Sequence, residues 1–193
     1  MNPGPLDPFI PAPIAREHFA VTVRAPHALV YDVACNFDMQ SIVAVRTIFR
    51  MREWIMGSRR GVRVPLGLTR ELESLGWGCL LQQPGELYVG GAVCQPWLAD
   101  VKFRAVPPEQ FLAFAEPDLV KIAWTLETKA LGANLTELGS ETRVGAADEG
   151  ARRRFLAYWR WARVGIYSIR WLLLPAISRK AEEASRAAVT RII

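Results

Sequence analysis

A chain of 193 residues, 51% hydrophobic and 22% charged, holds enough apolar side chains for one domain of ordinary size whose core needs neither disulfides nor metal. Its 24 Lys and Arg against 19 Asp and Glu leave a formal net charge of +5, but the positives are scattered along the chain, which argues against nucleic acid as a partner. The three cysteines, Cys35, Cys79 and Cys94, show no CxxC spacing and only two histidines accompany them, so they read as reduced, small packing residues, no metal site and no disulfide framework is expected, and no motif calls for a cofactor.

Residues 1–15, MNPGPLDPFIPAPIA, are proline-rich and lack the basic start and apolar run of a secretory signal. They read as a loose or strapped-down arm, followed by a single domain over 16–193, in a cytoplasmic protein. Glu17–Val23 alternates, with Phe19, Val21 and Val23 on one face, and predicts a first strand. Pro26 suits a first helical turn, so Ala28–Ala34 predicts a short helix. A second helix is expected from Ser41 to Met56, burying Ile42, Val45, Ile48, Phe49 and Trp54 and stopping at Gly57. The segment 58–65 is basic and glycine-bearing and reads as a loop, and Thr69–Leu75 as one or two helical turns.

Trp77–Leu81 and Glu86–Val93 flank Pro84-Gly85 as a β-hairpin, and the Gly90-Gly91 pair hints at a bulge or sharp bend. Val101–Val106 reads as a further short strand. Val120–Leu131 alternates with Ile122, Trp124, Leu126 and Thr128 on one face, and a hairpin-length connection joins it to Leu135–Val144. In that last strand Thr136, Leu138, Ser140, Thr142 and Val144 point one way, and Glu137, Glu141 and Arg143 the other. The final element is a long helix in which Phe155, Trp159, Ala162, Ile166, Ile169 and Leu173 recur at helical spacing as a core face. Arg160, Arg163 and Arg170 fall together on its other side as a solvated basic face. Three arginines and Pro175 exclude a transmembrane span from Phe155 to Ile177.

The order strand, two helices, about five antiparallel strands and a long helix predicts an α+β helix-grip fold, a curved antiparallel sheet wrapped on the C-terminal helix. Over residues 16–183 this order resembles the START-like, or SRPBCC, superfamily of polyketide cyclases, dehydratases and lipid-transfer domains. The local patterns that support the resemblance are Ala25–Ala34, Phe49–Glu53, Gln95-Pro96-Trp97, and Ser140–Val144 followed by Phe155-xx-Tyr158-Trp159. It implies a cavity between sheet and helix that holds a hydrophobic small molecule or lipid, reached through loops near Asn36–Gln40 and Pro96–Asp100. On the residue pattern, Tyr88, Trp97, Phe103, Trp124, Leu126, Leu138, Thr142, Trp159 and Ile166 are the expected lining.

Several constellations keep two readings. Trp77, Trp97, Trp124 and Trp159 form either an aromatic cage or ordinary core. Arg52 and Glu53 are candidate polar anchors at the cavity mouth, or an exposed pair whose arginine stem covers apolar surface. Glu141 and Arg143 are candidate anchors if the strand turns that face inward, and otherwise a surface ladder of cross-strand charges. Neither His18 nor His27 has a neighbour in sequence that would tune it as a general base. The functional expectation is therefore ligand binding, with two alternatives. One is a cyclase or dehydratase-like enzyme, which needs an ionisable residue inside the cavity. The other is a membrane or protein interaction through the basic, Trp-bearing C-terminal helix, which needs Trp161, Val164 and Trp171 exposed on one patch.

Overall fold

A computed structural model describes residues 4–57 and 66–190, apart from the side chains of Arg52, Glu53 and Val189. The predicted loop 58–65 lies outside the described residues. Strand β1 (Ala15–Val23) leads into α1 (His27–Cys35), a short 3-10 turn at Met39–Ser41, and α2 (Val43–Met56). Then follow α3 (Leu68–Ser74), β2 (Gly78–Gln83), β3 (Leu87–Cys94), α4 (Pro108–Phe111), β4 (Val120–Gly132), β5 (Leu135–Ala146) and α5 (Glu149–Thr190). The strands form one five-stranded sheet in the order β1-β5-β4-β3-β2, every neighbouring pair antiparallel. With α1 and the 42-residue α5 on one face of this curved sheet, the architecture is the helix grip expected from the element order.

Local sequence explains most of the element ends. Asp38 caps the 3-10 turn by accepting from the Gln40 backbone N–H at 2.8 Å. Gly57 ends α2 with φ +66°, a conformation that glycine adopts without Cβ strain. The register shift in the hairpin lies on β2, between Cys79 and Leu81, opposite Gly90 and Val89. Gly90 itself is needed for close approach, because a Cβ there would overlap the Trp124 indole nitrogen.

Four expectations are corrected. Val101–Val106 is not a strand; it contributes only an isolated bridge, Val93 to Arg104, which leaves four strands after the helices. Trp54 is 83% exposed, since α2 lies against α5, where Ile48 faces Gly165, and turns its far side outward. Cys79 is exposed rather than a packing residue, while Cys94 is buried. The convex face of the sheet is not a charged, solvated surface. Leu6, Phe9 and Ile10 of the arm lie on it, packed in one apolar cluster with Leu80, Val89, Val93 and Phe111, and the Phe9 and Phe111 rings meet edge to face at 6.1 Å. Proline stiffens an arm that would otherwise lose more backbone freedom on docking. The sheet thus carries a core on each side.

Candidate functional site

On the concave face the register assembles one row across the sheet. Glu17 of β1 is opposite Thr142 of β5, Thr142 is opposite Trp124 of β4, and Trp124 is opposite Gly90 of β3. Residues paired in this way share a face and stand within side-chain reach. Two apolar clusters flank the row. One gathers Tyr88, Trp124, Leu126 and Leu138 with α1 and with Leu173, Leu174 and Ile177 of α5. The other holds Val144, Phe155, Tyr158 and Ala162, with Trp97, Phe103, Trp159 and Ile166 packed against it, partly buried. Eight of the nine residues of the expected lining therefore fall in these two clusters, and the ninth, Thr142, stands in the row between them.

The buried face of α5 is interrupted between those two clusters. Ala151 to Ala162 includes four buried positions and Leu173 to Ala181 another four, yet no residue from Arg163 to Leu172 is buried. Ile166 and Ile169, expected as core, are only half-buried. Over this stretch α5 presents Arg170, which corrects the assignment of that arginine to the solvated face with Arg160 and Arg163. Its Nη2 donates to Thr142 Oγ1, and its guanidinium lies 5.9 Å from the Phe19 ring centre. Its Nη1 is sealed from solvent and has no hydrogen-bond partner. Among the described residues no carboxylate ion-pairs with it. Burial lowers its pKa to about 10, offset in part by the negative charge of Glu17. The signal was present in the sequence, since Arg170 follows Ile166 by four and precedes Leu173 by three, the spacing of the inward row.

Three more polar groups belong to the first of the two clusters. Trp124 Nε1 and Trp77 Nε1 are buried donors without partners. The Tyr88 hydroxyl donates to Glu73 Oε1 at 2.9 Å, and burial, reinforced by Glu73, pushes the phenol above its usual range. The Tyr88 and Trp124 rings are 5.6 Å apart, forming a continuous aromatic wall.

The candidate polar anchors are elsewhere. The side chains of Arg52 and Glu53 lie outside the described residues. Glu141 and Arg143 occupy the convex face in the register expected, but they are 7% and 4% exposed rather than a surface ladder. The arm covers them: Arg143 Nε donates to Glu141 Oε1 and its Nη1 to Asp7 Oδ1, both at 2.5 Å, and Nη1 also reaches the Ile10 carbonyl at 3.1 Å. Arg16 holds Glu141 as well, with its Nε 2.8 Å from Oε1 and its Nη2 donating to Oε2 at 3.2 Å. Burial works against the Arg143 charge, but the hydrogen bonds to Glu141 and Asp7 outweigh it and raise its pKa. Two surface depressions, of about 340 and 410 Å³, lie beside the arm and beside the Val93–Arg104 bridge and contain none of the nine lining residues. Among the described residues no helix is long and apolar enough to cross a membrane.

No family model and no curated protein sequence matches the chain. In structure it is similar to a Deinococcus radiodurans protein solved by a structural genomics consortium, at 15% identity and a TM-score of 0.31 over 78% of this chain and 99% of that one. A conserved Geobacillus kaustophilus protein gives 11%, 0.37, 86% and 96% for the same quantities. The Zhui aromatase/cyclase from a Streptomyces species gives 15%, 0.31, 90% and 97%.

Proposed function

We propose that the chain binds a hydrophobic or amphipathic small molecule, such as a lipid, between the concave face of the sheet and the middle of α5. The observation that carries this reading is the interruption in the buried face of α5 over Arg163–Leu172, where Arg170 meets Thr142 of the row and where Arg170 Nη1 and Trp124 Nε1 are left without partners. A helix whose only task is to plug a sheet buries a continuous stripe. Here apolar walls at both ends and a few convergent polar groups between them match the composition of a ligand site. Binding would draw on roughly 25 cal/mol for each Å² of apolar ligand surface removed from water. A cyclase or dehydratase-like activity in the same space needs a proton shuttle. Arg170 is a poor one, because a guanidinium stays protonated far above neutral pH.

Native mass spectrometry of the purified protein, with organic extraction and identification of whatever accompanies it, tests this reading. The expected result is a stoichiometric hydrophobic passenger, or else a rise in melting temperature with members of a panel of lipids and aromatic compounds. An empty protein unmoved by the whole panel contradicts it.

A specific observation favours a second reading, docking of α5 on an anionic membrane surface. Trp161, Val164, Tyr167 and Trp171 are 45–67% exposed and share one face of the helix with Arg160, and Arg163 lies at its border. Met51, Trp54 and Ile55 of the neighbouring α2 are exposed as well. Aromatic rings at headgroup depth beside arginines suit such a surface. Co-sedimentation with phosphatidylserine-containing vesicles, lost in high salt and in a Trp161→Ala, Trp171→Ala variant, is the expected outcome; equal behaviour with neutral phosphatidylcholine vesicles contradicts it.

A further inference from the structure

Arg170 is an uneconomical residue for a core that stays empty. Removing a guanidinium from water without a counter-ion is strongly unfavourable, and one hydrogen bond to the neutral Thr142 hydroxyl does not compensate it. The unused donor is Nη1, and one strand across the same row Trp124 offers a second unused donor, Nε1. Both are donors only, so both call for acceptor oxygens. The Glu17 carboxylate in the same row already offsets part of the Arg170 charge and raises its pKa. Of the anionic heads that supply acceptor oxygens, a singly charged one therefore adds the least negative charge beside Glu17, whereas a phosphate dianion would add more.

We propose that the ligand of this chamber is a monocarboxylic acid on an apolar body, its carboxylate bound by Arg170 Nη1 beside Thr142 and a further acceptor oxygen bound by Trp124 Nε1. The inference rests on the ligand-binding reading and specifies the chemical class. It also explains why the chain tolerates an arginine on the inward row of α5. The charge destabilises the empty protein, and binding the acid relieves it.

Isothermal titration of the full chain with palmitate and methyl palmitate, and with 2-naphthoate and its methyl ester, tests the assignment. At least one acid is expected to bind roughly tenfold to a hundredfold more tightly than its ester, the range that one charge-assisted hydrogen bond supplies. Arg170→Met is expected to abolish that preference while keeping ester binding, and Trp124→Phe to weaken the acid and ester alike. Equal affinity for acid and ester, or a preference that survives Arg170→Met, overturns the carboxylate assignment and leaves ligand binding standing. Failure of all four compounds to bind overturns the carboxylate assignment as well, while the binding reading is decided separately by the passenger and the wider panel. A second readout needs no ligand: the ligand-free Arg170→Met protein is expected to melt higher than the parent, because an unpaired buried charge is gone. A lower melting temperature would make Arg170 a structural residue and overturn the proposal.

Discussion

At the scale of single residues, the two faces of β5 treat charge in opposite ways. On the convex side Arg143 is fully engaged by Glu141, Asp7 and the Ile10 carbonyl, while on the concave side Arg170 has one unsatisfied nitrogen. The first arrangement is a latch for the arm. Asp7 has its pKa held below the ordinary 3.8 by the Arg143 hydrogen bond and, next, by the Gly4 backbone N–H, which donates to Oδ2 at 2.6 Å. A lowered folded pKa means that the latch contributes fully above the ordinary value and is lost as pH falls through the folded one. The methyl resonances of Leu6, buried beneath the arm, are therefore expected to shift with the Asp7 carboxyl titration at acid pH, and Asp7→Asn to eliminate that titration. Leu6→Ala should weaken arm docking by about 2–5 kcal/mol, the range for truncating a buried leucine, with the loss capped where the arm detaches altogether. Leu6 methyl signals unchanged through the Asp7 titration would contradict the latch.

At the scale of elements, period-two and helical patterns specify most of the fold. The alternation of β4 and β5 places Trp124, Leu126, Leu138 and Thr142 on the concave face, as the structure does. Local periodicity reports which side of a strand is apolar, but not what covers the other side. Glu141 and Arg143 look like a solvated ladder because the covering segment, Leu6–Ile10, is more than 120 residues distant in sequence and has no periodicity of its own. Val101–Val106 shows the opposite failure, a strand-like composition that finds a single bridging partner and remains irregular. For α5 the spacing of Phe155, Trp159, Ala162, Ile166, Ile169 and Leu173 predicts contact with the sheet along its whole length. The structure divides it into two contact segments, and Arg170 on the inward row was the residue in conflict with a continuous core. Pro175 falls at the start of the second segment, where it removes a backbone donor from the exposed side of the helix. The break in hydrogen bonding directly after the unburied stretch gives α5 a place to flex if a ligand must enter beneath it.

At the scale of the whole molecule, the sheet separates two tasks. Its convex side is closed by the arm and α4 into an apolar cluster that anchors the strands. On the concave side the contacts of α5 are divided, with α1 and the second half of α5 at one end and the first half of α5 at the other. The central claim is that a ligand occupies the space below Arg163–Leu172. Hydrogen exchange of the intact chain with and without a bound hydrophobic passenger tests it most directly, because exchange reports local opening along the backbone. Slower exchange is expected in Arg163–Leu172 of α5 and around Trp124 and Thr142, with the arm and the convex cluster unchanged. Protection confined to the exposed stripe of Trp161, Val164 and Trp171, or to either surface depression, with Trp124 and Thr142 unaffected, would contradict it.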